Sequence, residues 1–287
     1  MKVLRSIEEV RAWRESFSEV AFVPTMGNLH AGHISLVTTA KQYSENVIVS
    51  IFVNPLQFGE GEDLDSYPRT LDADIEKLTN AGVSALFLPT PEMLYGDGTD
   101  APFLIVPPQS LIGELCGKDR PGHFEGVATV VAKFFNIVEP TYACFGKKDY
   151  QQLKVIEAMV SGLNFNIRIV PVDIERSDAG LALSSRNGYL SEEEKQQALS
   201  LSKTLQTIKQ NLLDYDKSTL SLTHCYKDIE EKAVALLQKE GFVVDYLSIR
   251  AQKTLKIATK NDLELVVLIA AKCGKTRLLD NIEVFLR

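Results

Sequence analysis

Met26-Gly27-Asn28-Leu29-His30-Ala31-Gly32-His33 is the stretch whose residue types and spacing point most directly to chemistry. It follows a short apolar run, Ala21 to Thr25, and precedes a segment of helical period, His33 to Ser44, with Ile34, Leu36, Val37 and Ala40 as apolar positions. Gly27 and Gly32 let the main chain come close to a ligand. A helix starting here aims unpaired N–H groups and the positive end of its dipole at the same point. His30 and His33, three residues apart, then face one way. Two imidazoles beside a helix N-terminus can donate hydrogen bonds to the oxygens of a phosphate under attack. The plain alternative is a packed turn with one structural histidine. Two of the chain's four histidines in a single Gly-x-x-His-x-Gly-His frame weigh against it.

Three further stretches carry reactive side chains. Asn54 and Gln57 follow a β-branched run, Asn46 to Asn54, that stops at Pro55; a buried amide there needs a hydrogen-bond partner, which a ligand carboxylate or hydroxyl can supply. The alternative is an Asn-Pro turn with Gln57 on the surface. Gly146-Lys147-Lys148-Asp149 follows the run Ala143 to Phe145 and opens a helix. Lys148 can neutralise nucleotide phosphates there, and Asp149 can hold a ribose hydroxyl or a metal-bound water; a solvated charged turn explains the same residues. Leu183-Ser184-Ser185-Arg186 offers two hydroxyls and a forked guanidinium suited to a triphosphate, or simply a helix N-cap. Tyr67-Pro68-Arg69 can start a helix, and His123 near Arg120 can border a pocket or cap the following helix.

The elements that must position these residues alternate. Strand-like runs at Ala21–Thr25, Asn46–Asn54, Ala85–Leu88, Ala143–Phe145 and Ile167–Ile174 are separated by helical periods. Those cover His33–Ser44, Thr70–Ala81 (Leu71, Ile75 and Leu78 on one face, Gly82 at the end), Phe124–Val138 and Tyr150–Leu163. This order predicts an α/β, Rossmann-like parallel sheet with helices on both faces, whose ligands lie beyond the carboxyl ends of the strands. The composition changes near residue 176. A charged helix over Leu190–Leu213, capped by Ser191 with Glu194, a second over Ser218–Glu240, and strands at Val243–Ile249 and Leu263–Ala271 predict a smaller C-terminal α+β domain. The expected division is 1–176 for nucleotide and acid binding and 177–287 for a lid, with the linker as hinge.

Composition narrows the partners. The net charge is −7 and the pI about 5.3, which argues against a nucleic-acid or membrane-surface binder. The four cysteines are scattered, none in a Cys-x-x-Cys pair and none near His30 or His33, so no metal bound directly by the protein is assigned. Sparse cysteines suit a reducing cytoplasm. The segment Met1 to Glu9 is acidic early and does not read as a signal peptide, and no apolar run is long enough to span a bilayer.

HxGH at a strand-to-helix turn resembles the signature of the nucleotidyltransferase superfamily, and Pro24-Thr25-Met26-Gly27-Asn28-Leu29-His30-Ala31-Gly32-His33 is similar to that of the pantothenate synthetases in particular. Val53–Phe58, Asp63–Thr70, Arg120–Val127, Phe145–Gln152, Leu181–Asn187 and Gly274–Asn281 resemble the same family in order along the chain. The resemblance implies an AMP-forming ligase that condenses (R)-pantoate with β-alanine through a pantoyl-adenylate, with ATP as substrate and Mg²⁺ bridging phosphate oxygens. It implies ATP contacts from Met26 to His33, Gly146 to Asp149, Glu175 through its main chain, and Leu183 to Arg186. It gives His33 a proton-donor role beside His30, and assigns pantoate and β-alanine to Gln57 and Gln152, next to Asn54. Ala31 and Lys147 fall where the family varies. The family is typically a homodimer, and the apolar run Phe103–Val106 reads as a surface strand that can contribute to such an interface. Two other readings remain: a nucleotidyltransferase acting on a phosphate ester, which would not need the Asn54, Gln57 and Gln152 amides, and a nucleotide-binding module without turnover.

Overall fold

The computed structural model describes residues 1–97, 102–214 and 222–286. The chain folds as two compact units, Met1–Lys147 with Val155–Asp173, and Lys148–Lys154 with Ile174–Arg287.

The first unit is built on β1 (Lys2–Leu4), α1 (Ile7–Arg14), β2 (Ala21–Thr25), α2 (Ala31–Tyr43), β3 (Val47–Ile51), α3 (Leu71–Asn80) and β4 (Ala85–Phe87). Three short helices follow: α4 (Pro91–Tyr95), α5 (Gln109–Ile112) and α6 (Cys116–Asp119). Then come α7 (His123–Val138), β5 (Tyr142–Gly146), α8 (Tyr150–Gly162), of which Tyr150 to Lys154 are counted with the second unit, and β6 (Arg168–Val172). Its six strands form one sheet in the order β1-β4-β3-β2-β5-β6, every pair parallel.

Alternation along the strands explains why helices cover both faces. Ala21 and Val23 of β2, with Val47 and Val49 of β3, pack with Val37 and Ala40 of α2 and Leu78 of α3. The intervening Phe22, and Phe87 of β4, point the other way and meet Phe134 of α7 edge-on, at 5.7 and 6.1 Å between ring centres. That geometry suits aromatic pairs and adds about 0.5–1.5 kcal/mol each beyond burial. Of the expected apolar face of α3, Leu78 is buried and Ile75 packs against the same core, but Leu71 is exposed and Asp74 is buried instead. Gly82, at φ +72°, ends this helix, and the Val83 N–H donates to the Leu78 carbonyl.

The second unit contains α9 (Glu192–Asp214), α10 (Leu222–Lys239) and the antiparallel sheet β7 (Val243–Ala251), β8 (Glu264–Cys273), β9 (Thr276–Phe285). Leu201, Leu205 and Ile208 of α9 and Leu237 of α10 bury against Leu265, Val267 and Ile269 of β8. The residues expected to start the second helix at Ser218 lie outside the described residues. The α9 cap is the expected one: the Glu194 N–H donates to Ser191 Oγ at 3.2 Å, and the Ser191 N–H donates back to Glu194 Oε2 at 2.9 Å. Ser191→Ala is expected to lower unfolding stability by about 1 kcal/mol, read by denaturant titration.

The run Phe103–Val106 is not a strand. It is a loop, pinned where the Ile105 N–H donates to Thr129 Oγ1 at 2.9 Å, and Phe103 is 97% exposed. Among the described residues no helix is long and apolar enough to cross a membrane.

Candidate active site

The strand order changes direction at β2. The chain moves from β2 to β3 on one side and returns to β5 on the other, so the switch point lies between β2 and β5. Ligands in such sheets bind outside the carboxyl ends at that point. The segment after β2 is the Met26–His33 turn, and Gly146 closes β5. Asn54 and Gln57 follow β3, one strand away.

The turn is tightly determined. Gly27 has φ +82°, and a Cβ there would lie 3.0 Å from Ile51 Cγ2. Asn28, at φ 50°, is also left-handed, a conformation that asparagine tolerates best after glycine. The N–H groups of Asn28 and Leu29 donate to the two carboxylate oxygens of Asp74, both at 2.8 Å, and Lys77 Nζ donates to the Leu29 carbonyl at 2.6 Å.

His30 then caps α2. Its Nδ1 accepts from the Gly32 N–H at 3.1 Å, while His33 Nδ1 accepts from the His30 N–H at 3.3 Å, and the ring centres are 4.2 Å apart. An imidazole whose Nδ1 accepts must carry its proton on Nε2. Both rings are therefore neutral Nε2–H donors at the N-terminus of a helix, beside the dipole end that attracts anions.

Asn54 is buried and fully engaged. Tyr95 Oη donates to its Oδ1 at 2.7 Å; its Nδ2 donates to the Gly126 carbonyl at 3.1 Å and to Gln57 Oε1 at 3.2 Å. Burial pushes the Tyr95 phenol upward, which keeps it a neutral donor. The side chain of Asn54 thus serves the protein, holding Gln57, whose Nε2 donates to Met26 Sδ at 2.8 Å. Met26 and Gln57 bring the segments after β2 and β3 together.

Arg120 and His123, left open by sequence, lie behind Gln57. Arg120 Nη2 donates to the Gln57 carbonyl at 3.2 Å, and His123 Nδ1 lies 2.8 Å from the same oxygen. Arg120 also grips both carboxylate oxygens of Glu62 at 2.6 Å. Burial acts to raise the Glu62 carboxyl, but hydrogen bonding and charge from Arg120 outweigh it and hold it below the usual range. Such a lowered group stabilises the fold above the carboxylate's ordinary pKa and loses that contribution as pH falls through its folded value. Glu62→Gln is expected to remove this part of the acid sensitivity in melting curves between about pH 5 and 3, an effect under about 1 kcal/mol for a partly exposed pair. Tyr67 packs edge-on to Phe58 at 5.8 Å and is buried.

In the second unit, Asp280 and Asn281 of β9 tie down both phosphate-binding candidates. Asn281 Nδ2 donates to the Lys148 carbonyl at 3.0 Å. Arg176 forms a fork with Asp280, both contacts at 2.7 Å, and pairs across to Ala182. The Leu183 N–H donates to the Glu175 carbonyl at 2.9 Å, so the exposed Glu175 anchors the serine stretch through its main chain. Ser184 Oγ accepts from the Arg186 N–H at 3.3 Å as the cap of a single 3-10 turn, Ser185–Tyr189. Lys148 Nζ lies 3.4 Å from Asp149 Oδ1, and Lys147 pairs with Asp173 in the first unit at 2.8 Å. Gln152 is half-buried in the first turn of α8.

Asp74, Lys77, Glu62, Tyr95, Gly126, Asp280 and Asn281 were not foreseen as site-building residues. One signal was legible: Asp74 stands four residues before Leu78, on the apolar stripe of its helix.

A histidine pair thus caps a helix at the switch point of an all-parallel α/β sheet, the place where ligands bind in enzymes of this architecture. The family model described as Pantoate-beta-alanine ligase matches residues 2–283. A pantothenate synthetase of Laribacter hongkongensis is 54% identical over 285 residues, covering 99% of this chain and all of that one. One from Neisseria meningitidis is 52% identical, covering 99% of each. Among solved structures, a Thermus thermophilus pantothenate synthetase superposes with TM-score 0.89 at 39% identity, over 99% of this chain and 100% of its own. A Francisella tularensis pantoate-beta-alanine ligase, complexed with beta-gamma ATP and beta-alanine, superposes with TM-score 0.79 at 34% identity, over 98% and 97%. The chain belongs to the pantoate-beta-alanine ligase family.

Proposed function

We propose that this chain condenses pantoate with β-alanine at the expense of ATP, through a pantoyl-adenylate, with the His30–His33 turn as the site of adenylate formation. The observation that carries the assignment of the turn is the pair of Nδ1 acceptors, which leaves each imidazole an Nε2–H donor at the head of α2. The pantoate carboxylate attacks the α-phosphorus, and pyrophosphate leaves. His30 and His33, with the N-terminus of α2, stabilise the charge that grows on the phosphate oxygens. Lys148, Ser184, Ser185 and Arg186 draw off the pyrophosphate. The main chain of Met26 to Gly32, Gly146 to Asp149, Glu175 and Leu183 contributes to ATP binding. Gln57, held by Asn54, and Gln152 bind pantoate. The amine of β-alanine then attacks the adenylate carbonyl and AMP departs. Excluding water protects the adenylate from hydrolysis. A phosphate-ester acceptor finds no support in the family match.

Mg²⁺ enters with ATP. The ion would be held largely by the substrate phosphates and its own waters, as is usual for Mg²⁺. The exposed Phe103, Leu104 and Val106 support a homodimer. Buried Cys116, Cys144 and Cys273 support a cytoplasmic setting. The division at residue 176, with a C-terminal lid, belongs to the same proposal.

The test uses purified protein with ATP, pantoate and β-alanine. AMP and pyrophosphate are released only when pantoate is present. Absence of AMP formation with pantoate present overturns the assignment.

A further inference from the structure

We propose that Asp74, a residue no substrate-binding argument requires, is the positioning residue of the His30–His33 turn. The inference rests on the reading that these histidines act in adenylate formation.

Asp74 is completely buried on the inward side of α3, where an apolar residue would ordinarily pack. A buried carboxylate is costly unless its oxygens are satisfied. Here they are satisfied by the site itself. Oδ2 accepts from the Asn28 N–H at 2.8 Å and from Thr70 Oγ1 at 3.2 Å, and Oδ1 accepts from the Leu29 N–H at 2.8 Å. One helical turn later, Lys77 Nζ donates to the Leu29 carbonyl at 2.6 Å. Two side chains at i and i+3 of α3 therefore grip three polar groups of the main chain leading into His30, the N–H groups of Asn28 and Leu29 and the Leu29 carbonyl.

That grip determines ring placement. Asn28 is held left-handed, and the Leu29 peptide is fixed at both ends. The next N–H, that of His30, is then directed at His33 Nδ1, the contact that keeps the His33 proton on Nε2. Aspartate alone suits the position. Asparagine has the same shape, but one of its two terminal atoms is a donor facing an N–H, so it cannot accept from both.

The experiment compares the full-length wild type with Asp74→Asn and Lys77→Met. It reads kcat and KM for pantoate-dependent AMP release, imidazole ¹⁵N spectra and melting temperature. Asp74→Asn is expected to lower kcat by about ten- to a hundredfold with pantoate KM within about threefold, because misplacement of the reacting geometry falls on the chemical step. The His33 ¹⁵N signals are expected to lose the pure Nε2–H pattern. Lys77→Met, whose side chain lies outside the core, is expected to lower kcat by about three- to tenfold without a change in melting; it carries the test if Asp74→Asn does not fold. Wild-type kcat with wild-type imidazole signals overturns the proposal, as does an activity loss that tracks melting alone while the imidazole signals stay unchanged. Altered imidazole signals with full turnover uphold the positioning and instead remove the histidines from catalysis.

Discussion

His33→Ala is expected to lower the turnover of pantoate-dependent AMP release by on the order of 10²-fold or more, the scale of losing one preorganised donor to a transition-state oxygen. The size follows from what the ring does in the fold. Its Nδ1 is engaged by the His30 N–H at 3.3 Å, so the Nε2–H is held in one direction before substrate arrives. A donor that needs no reorganisation is worth most when charge develops, and less when ATP merely binds. The kinetic signature is therefore a parallel fall in kcat and kcat/KM, with ATP KM little changed. Loss of structure is a poor explanation for such a fall. His33 is only half-buried in the first turn of α2, and removing one backbone acceptor there costs about 1 kcal/mol. Melting curves separate the two effects, and a near-normal rate removes His33 from the mechanism.

The histidine pair was legible because its meaning is local. Gly27, Gly32 and two imidazoles within eight residues declare a strand-to-helix turn, and the periodicities on either side place it at the end of a parallel strand. The sheet was legible for the same reason: β2, β3, β4, β5 and β6 are apolar runs separated by helical periods. Elements too short to show a period escaped, among them β1 and α4 to α6. The strand β9 escaped for another reason. Asp280 and Asn281 break its apolar pattern, and both are buried polar groups whose partners, Arg176 and Lys148, lie more than a hundred residues earlier. Phe103–Val106 misled in the opposite direction. Its composition favours a strand, but among the described residues it pairs with no sheet edge, and the Ile105 N–H is held by the Thr129 side chain.

The environment of Gln57 shows why a motif residue can be found while its supports are not. Its position after a strand, near Asn54 and Pro55, is visible in sequence. The groups that hold it are Gly126, Arg120 and His123, sixty or more residues away, and nothing in their own neighbourhood says what they face. Arg120 and His123 both converge on one carbonyl, that of Gln57.

Gly126→Ala is the substitution in this support with the largest expected consequence. The glycine lies in α7, where alanine would normally be favoured by close to 1 kcal/mol. The site reverses the preference. A Cβ there would fall 2.2 Å from the Leu56 carbonyl oxygen, 2.4 Å from its carbon and 2.8 Å from the Gln57 nitrogen. These are backbone atoms with no rotamer to escape into, so the Pro55–Gln57 turn must move away from α7. Moving it breaks the Asn54 contact to the Gly126 carbonyl and displaces the Gln57 carbonyl from Arg120 and His123. Overpacking of this kind costs about 1–3 kcal/mol, which lowers the melting temperature by several degrees in a chain of this length. The catalytic effect is expected to be larger, about a hundredfold or more in kcat/KM for pantoate, since a shift near 1 Å at a positioning group carries that penalty. ATP KM, read in the same assay, is expected to stay within about threefold, because the nucleotide turn after β2 is gripped separately by Asp74 and Lys77. Equal losses for pantoate and ATP, scaling with melting temperature, would mean that Gly126 serves the fold alone and that Gln57 tolerates a displaced support.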